Sequence, residues 1–184
     1  MNHMTDAQSL AAAIAEDVQL QAHDPMWAQA FELERDRLMA LLPGVFAAIE
    51  HIGSTAIHGL VAKPIIDIMA GVPSLDGVDP LIALLCGNGY STSREFNDSL
   101  IDRKWLMRWC DGRRTHHLHI VAWFGDQWHA RLAFRDALRR DAALAAQYGA
   151  LKSELAARHR RDREAYTDAK AAFVRAVVRA ELAR

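Results

Sequence analysis

A chain of 184 residues with 51% hydrophobic residues and a formal net charge of −1 is sized for one domain that buries a full core unaided. No apolar run approaches the roughly 20 residues that cross a bilayer, and Met1 to Ala15 lacks the basic start and apolar core of a secretory signal. Cys86 and Cys110 have no metal-ligand spacing and suggest reduced, buried thiols, so a cytoplasmic protein without membrane partners is expected.

The small net charge conceals a division. Residues 1–100 hold 13 Asp/Glu and 4 Lys/Arg, whereas residues 101–184 hold 10 and 18. An acidic half could face a basic half that holds an anionic substrate, or both halves could carry solvated charge.

In chain order, Ser9 to Leu20 is Ala-rich with Leu10, Ile14 and Val18 four apart, which predicts a first helix. Asp24-Pro25 reads as a cap followed by proline at the first helical position, opening a helix whose buried face is Trp27, Phe31, Leu38 and Leu42. That helix stops at Pro43-Gly44, and Val45 to Ile52 follows as a strand. From Ile65 to Val72, Ile66, Ile68, Ala70 and Val72 alternate onto one face, leaving Asp67 and Met69 on the other. A helix over 78–85 precedes Gly87-Asn88-Gly89, and strands are expected near 90–96 and 103–110. In 117–121, Leu118 and Ile120 point one way, His117 and His119 the other, so the acid and the histidines could share one sheet surface. After Gly125 the chain turns helical, with faces Trp128-Leu132-Arg135-Leu138, Leu144-Tyr148-Leu151-Leu155 and Tyr166-Lys170-Phe173-Val174-Val177. The order of helices, sheet, then a C-terminal helical bundle predicts an α+β fold, with 1–22 as an N-terminal helical extension and 23–184 as one domain.

The chemistry concentrates between Glu50 and Met69. Gly53-Ser54-Thr55 is a turn whose backbone donors and hydroxyls can approach phosphate oxygens, and Asp67 can hold a divalent cation beside them. Such a turn is also common as plain chain reversal. Asp67 could instead pair with Lys63 or an arginine. His117 and His119 could complete a two-histidine, one-carboxylate set suited to zinc or manganese more than magnesium. They could also bind phosphate or act as acid and base, or be satisfied by local partners. His51, beside the turn, is a further candidate. Lys63, Arg135, Arg139, Lys152 and Lys170 are candidate anion contacts, although Arg135 and Arg139 could simply pair with Asp136 and Asp141. Tyr148 and Tyr166 could stack on a base or belong to the core. The run Arg158 to Arg163 is short and interrupted by Asp162, and the overall charge argues against nucleic acid as a partner.

These residues resemble the GrpB family, in the nucleotidyltransferase superfamily that includes DNA polymerase beta. The resemblance covers roughly 23–180. It rests on Asp24-Pro25-x-Trp27, His51-Ile52-Gly53-Ser54-Thr55-Ala56-Ile57-x-Gly59-Leu60-x-Ala62-Lys63-Pro64-Ile65-Ile66-Asp67, Gly89-Tyr90 and His117-Leu118-His119. Phe134-Arg135-Asp136-x-Leu138-Arg139, Tyr148-x-x-Leu151-Lys152 and Tyr166-x-x-x-Lys170 extend it. The resemblance implies a nucleotidyltransferase-like mixed sheet that binds a nucleotide or phosphorylated small molecule. The implied activity is nucleotidyl transfer from a nucleoside triphosphate with a divalent metal (zinc, manganese or magnesium). Catalytic and metal roles fall to Asp67, His117 and His119, and phosphate binding to Gly53, Ser54, Thr55, Lys63, Arg135, Arg139 and Lys152. Two departures matter: the superfamily places a second acid two residues after the first, where this chain has Met69, and a third acid on another strand, where it has His117 and His119. A thioether is a poor ligand for a hard cation. A binding module without the two-metal centre, or a metal-dependent phosphohydrolase, are the alternatives.

Overall fold

The computed structural model describes residues 6–184; the first five residues of the N-terminal extension, and the face expected from Leu10 and Ile14, lie outside the described residues and side chains. Helix α1 (Asp6–Ala15) ends before Val18, which leaves the helix to donate its N–H to the Arg160 carbonyl at 2.8 Å. Its side chain packs on Leu155 and Tyr166. Helix α2 (Met26–Leu41) begins where the Asp24 carboxylate accepts the Met26 N–H at 2.9 Å. Trp27, Phe31, Leu38 and Leu42 are all buried.

Strand β1 (Ala48–Ile52) starts later than Val45, because Gly44 adopts φ +74° and the Val45 N–H turns back to the Leu42 carbonyl. A single 3-10 turn over Ser54–Ala56 leads to β2 (Ile66–Val72). After α3 (Asp79–Cys86) comes β3, only Tyr90–Ser91. The strand expected over 90–96 is therefore cut short: the Ser93 hydroxyl accepts the Phe96 N–H and opens α4 (Arg94–Ser99). β4 (Lys104–Cys110) and β5 (Arg113–Ala122) form a hairpin closed by Asp111-Gly112, both at positive φ. Cys110 sits at this hairpin end and is exposed, not buried as expected; Cys86 is half-buried.

The sheet is mixed, in the order β1-β2-β5-β4-β3, with only β2 and β5 parallel. Helices α5 (Asp126–Arg140), α6 (Ala142–Arg158) and α7 (Arg163–Leu182) complete seven α-helices among the described residues, an α+β architecture. Asp141 and Asp162 cap α6 and α7, so Asp141 accepts backbone N–H groups there and is not the expected partner of an α5 arginine.

Two layers flank the sheet. Ile66, Ile68, Ala70 and Val72 of β2, with Leu106, Leu118 and Ile120, pack against α2 and α3 in the main core. On the other face, α5 covers only one end, where Ile52, Met69, Val121 and Trp128 form a compact apolar cluster. Tyr148, Leu138, Ala145 and Val177 join α5, α6 and α7 into a bundle standing beside the sheet. Between bundle and sheet lies a cleft. No helix among the described residues is long and apolar enough to cross a membrane.

Candidate functional site

Asp67 and His117 face each other because β2 and β5 run parallel with these residues in register, and Met69 stands opposite His119. Alternation then puts Asp67, His117 and His119 on the face away from the main core. His117 Nδ1 lies 2.9 Å from Asp67 Oδ1, and His119 Nε2 lies 3.9 Å from the same oxygen. One ligand atom from each of the three residues falls within 4.8 Å of the others.

The Gly53 turn closes directly on this carboxylate. Gly53 has φ +71°, and a Cβ there would come within 2.3 Å of Asp67 Oδ2. Glycine is thus required twice, by conformation and by space.

Electrostatics favour an ionised acid beside neutral rings. Burial works against the Asp67 charge, but the hydrogen bond from His117 and the nearby His119 ring hold its carboxyl well below the usual value. Burial pushes His117 down to about 4 and His119 to about 3, the latter also through Arg131. His117 Nε2 and His119 Nδ1 are buried without a hydrogen-bond partner among the protein atoms. Neutral imidazoles around an ionised carboxylate are the protonation states a metal ligand set needs. The two-nitrogen, one-oxygen chemistry fits zinc, manganese or iron better than magnesium.

A cleft of about 1200 Å³ opens over this triad. Gly53, Ser54, Thr55, Lys63 and Lys152 all line it. Lys63 and Lys152 are pushed down to about 7 and Lys170 to about 8, first by burial and then by neighbouring cations. Asp67 acts on each of these ammoniums in the opposite sense. Tyr166 carries Lys170 at 4.0 Å and Lys63 at 5.5 Å from its ring centroid. Tyr166 and Tyr148 are both buried, Tyr148 in the bundle core with Lys152 5.0 Å from its ring.

Other candidates are placed differently. Arg135 donates to Glu50 at 2.6 Å, Asp136 at 2.7 Å and the His51 carbonyl at 3.0 Å, while Arg139 donates to the Ala56 carbonyl at 3.0 Å. Neither lines the cleft with Asp67; both brace the turn from behind. The Thr55 hydroxyl faces inward to His51 Nε2 at 3.0 Å and the Ile65 carbonyl at 3.4 Å. His51 stacks on Phe31, a main-core residue, and burial lowers it to about 4; it does not line the cleft. Asp67 does not pair with Lys63 within ion-pair distance among the described residues; His117 takes that place. Met69 is fully buried beneath Trp128 and adds no ligand.

Arg131 and Trp105 enter the cleft without having been singled out in the sequence, and Arg163 enters it from the run read there as solvated charge. Arg131 and Arg163, each lowered to about 10 by burial, resemble any surface arginine of a helix until the packing is seen. Trp105 shares its face with the fully buried Met107, so its place in the strand gave no signal of a cleft.

The fold and the cleft define an α+β protein with a cation-rich pocket around the Asp67 carboxylate. The chain belongs to the GrpB family, whose model, described as GrpB protein, matches residues 17–180. It is similar to the Glutamate-rich protein GrpB of Alkalihalophilus pseudofirmus, 34% identical over 163 residues that cover 86% of this chain and 92% of that one. UPF0157 protein YqkA of Bacillus subtilis is 34% identical over 142 residues; the match covers 77% of this chain but only 40% of that protein. The crystal structure of conserved protein GrpB from Enterococcus faecalis superposes with a TM-score of 0.80 at 35% identity, covering 89% of this chain and 97% of that one.

Proposed function

We propose that the cleft binds a nucleotide or another phosphorylated small molecule, its phosphates held by Lys63, Lys152 and Lys170. The observation that carries this reading is the lysine cluster itself. Ammoniums brought together repel one another, and Asp67 offsets them only in part; an anion with several charges relieves that cost. Ser54, at the N-terminus of the 3-10 turn, offers its hydroxyl and backbone to the same group.

Asp67, His117 and His119 are the residues that would hold a divalent ion beside those phosphates. Such an ion supplies Lewis-acid polarisation of a phosphoryl oxygen. The protein contributes orientation: the parallel register fixes the three ligands, and Arg131 adds positive charge beyond His119. The Gly53 turn pressed against Asp67 resembles the order of parts expected of the nucleotidyltransferase superfamily, and nucleotidyl transfer is the reaction this favours. Met69, sealed in an apolar cluster, leaves no second carboxylate for two bridged ions, which favours binding over efficient transfer.

Titration calorimetry of the purified protein with ATP and with inorganic tripolyphosphate, with and without manganese or zinc, tests the reading alongside elemental analysis. Saturable binding of either polyphosphate, weakened about tenfold in Lys63→Met or Lys152→Met, supports it. Absence of binding under every condition overturns it.

A further inference from the structure

The cleft lining combines the ammoniums of Lys63, Lys152 and Lys170 with the rings of Trp105 and Phe96. Trp105 on β4 stands opposite His119 in the sheet, so it shares the face of the Asp67 triad. Its ring lies 5.3 Å from that of His117, and Phe96 of α4 meets it edge-on at 5.5 Å. Both rings line the cleft, and Phe96 is 42% exposed. His117 touches both Trp105 and Asp67, so the rings border the triad.

Trp105 is held in place by more than packing. The β3 ladder pairs only with Arg108 and Met107 and stops short of Trp105. There the Asn97 side chain substitutes for a strand. Its Oδ1 accepts the Trp105 N–H at 2.7 Å, and its Nδ2 donates to the Trp105 carbonyl at 3.1 Å. The same Nδ2 donates to the Thr92 hydroxyl at 2.7 Å, which in turn donates to that carbonyl at 2.6 Å. Asn97 and Thr92 are both buried, so these bonds are shielded from water. The clasp comes from the residue next to Phe96, so one short helix sets both rings. Asp102 ties Arg103 and Gln127, two polar donors that line the same cleft.

We propose that Trp105 and Phe96 form a stacking platform for a planar ring, so that the cleft selects a nucleoside polyphosphate over a polyphosphate without a base. This rests on the phosphate reading above and adds the class of ligand to it. A base has a polarisable face that suits an indole and a phenyl ring, and its triphosphate would meet the ammoniums that line the same cleft.

The test compares ATP, GTP and CTP with inorganic tripolyphosphate by titration calorimetry on the wild-type protein, Trp105→Ala, Trp105→Phe and Phe96→Ala. At least one nucleotide should bind the wild type about tenfold or more tighter than tripolyphosphate. Trp105→Ala should erase that preference with tripolyphosphate affinity unchanged, and Trp105→Phe should restore part of it. Phe96 is exposed, so Phe96→Ala keeps the test available if the tryptophan variant misfolds; it should lower the preference severalfold. Equal affinity of wild type for nucleotides and tripolyphosphate overturns the platform and leaves the phosphate reading standing. A preference that survives both alanine variants does the same. No binding of any of the four overturns both.

Discussion

The two faces of the sheet each bury a charged cluster, and the clusters are resolved in opposite ways. Under α2, Glu34 is 2% exposed and receives the Tyr90 hydroxyl at 2.6 Å, Arg37 at 2.9 Å and Arg108 on its other oxygen. Every charge there has its partner within the protein. Over the opposite face, Asp67 meets neutral histidines, while Lys63, Lys152 and Lys170 crowd one another. The first arrangement is complete as folded and holds α2 to the sheet edge. The second keeps excess positive charge and unpartnered ring nitrogens, a state that a fold tolerates where a ligand completes it.

That contrast is broken most directly at Glu34. Glu34→Ala leaves Arg108 and Arg37 without their common acceptor and should cost about 3–5 kcal/mol in urea denaturation. It should leave any polyphosphate affinity of the native fraction unchanged. A loss under about 1 kcal/mol would mean that the Glu34 cluster is no more closed than the cleft. Next in size is Gly53→Ala. The added carbon meets Asp67 Oδ2 at 2.3 Å on a backbone at φ +71°, so a loss of about 1–3 kcal/mol is expected together with loss of metal binding. Wild-type metal affinity in this variant would remove Asp67 from the ligand set.

Much of this contrast is legible in the chain. Alternation in β2 assigned Ile66 and Ile68 to the core and Asp67 to the other face, and the same period in β5 sorted Leu118 from His117 and His119. What local pattern cannot supply is register. Only the parallel pairing of β2 with β5 decides that Asp67 meets His117 and that Met69, two residues on, falls beneath Trp128. The expectation that Arg135 and Arg139 clasp phosphate rested on their shared helical face. That face turns to the back of the Gly53 turn, where backbone carbonyls consume both guanidiniums. Trp105 was hidden for a different reason: strand β4 carries large side chains on both faces, so its alternation does not reveal which side is open.

A third comparison separates the lysines from ordinary core residues. Lys152→Met removes a buried ammonium that is held down by desolvation and by Lys170 and Lys63. The ligand-free protein should melt higher, while tripolyphosphate affinity falls about tenfold through loss of one charge-assisted contact. Lower melting without ligand would show that the hydrogen bond to the Val61 carbonyl outweighs the repulsion.

The smallest effect, and the one that reads both halves of the argument at once, is with pH. Lys63 falls from 10.5 to about 7, Lys152 from 10.5 to about 7 and Lys170 from 10.5 to about 8 on folding. Between pH about 7 and 10.5 the unfolded chain therefore binds more protons at these sites than the native one, and their contribution to stability rises with pH. Phosphate binding must move the other way, because it needs the protonated ammoniums. Affinity for tripolyphosphate should be greatest below pH about 7 and decline through pH about 8, as long as the phosphate stays ionised. Bound phosphate favours the charged lysines, so calorimetry near pH 8 should register proton uptake on binding, seen as a dependence of the apparent enthalpy on the buffer's ionisation heat. Proton release, or binding that strengthens from pH 7 to pH 9, would place the phosphate away from these lysines.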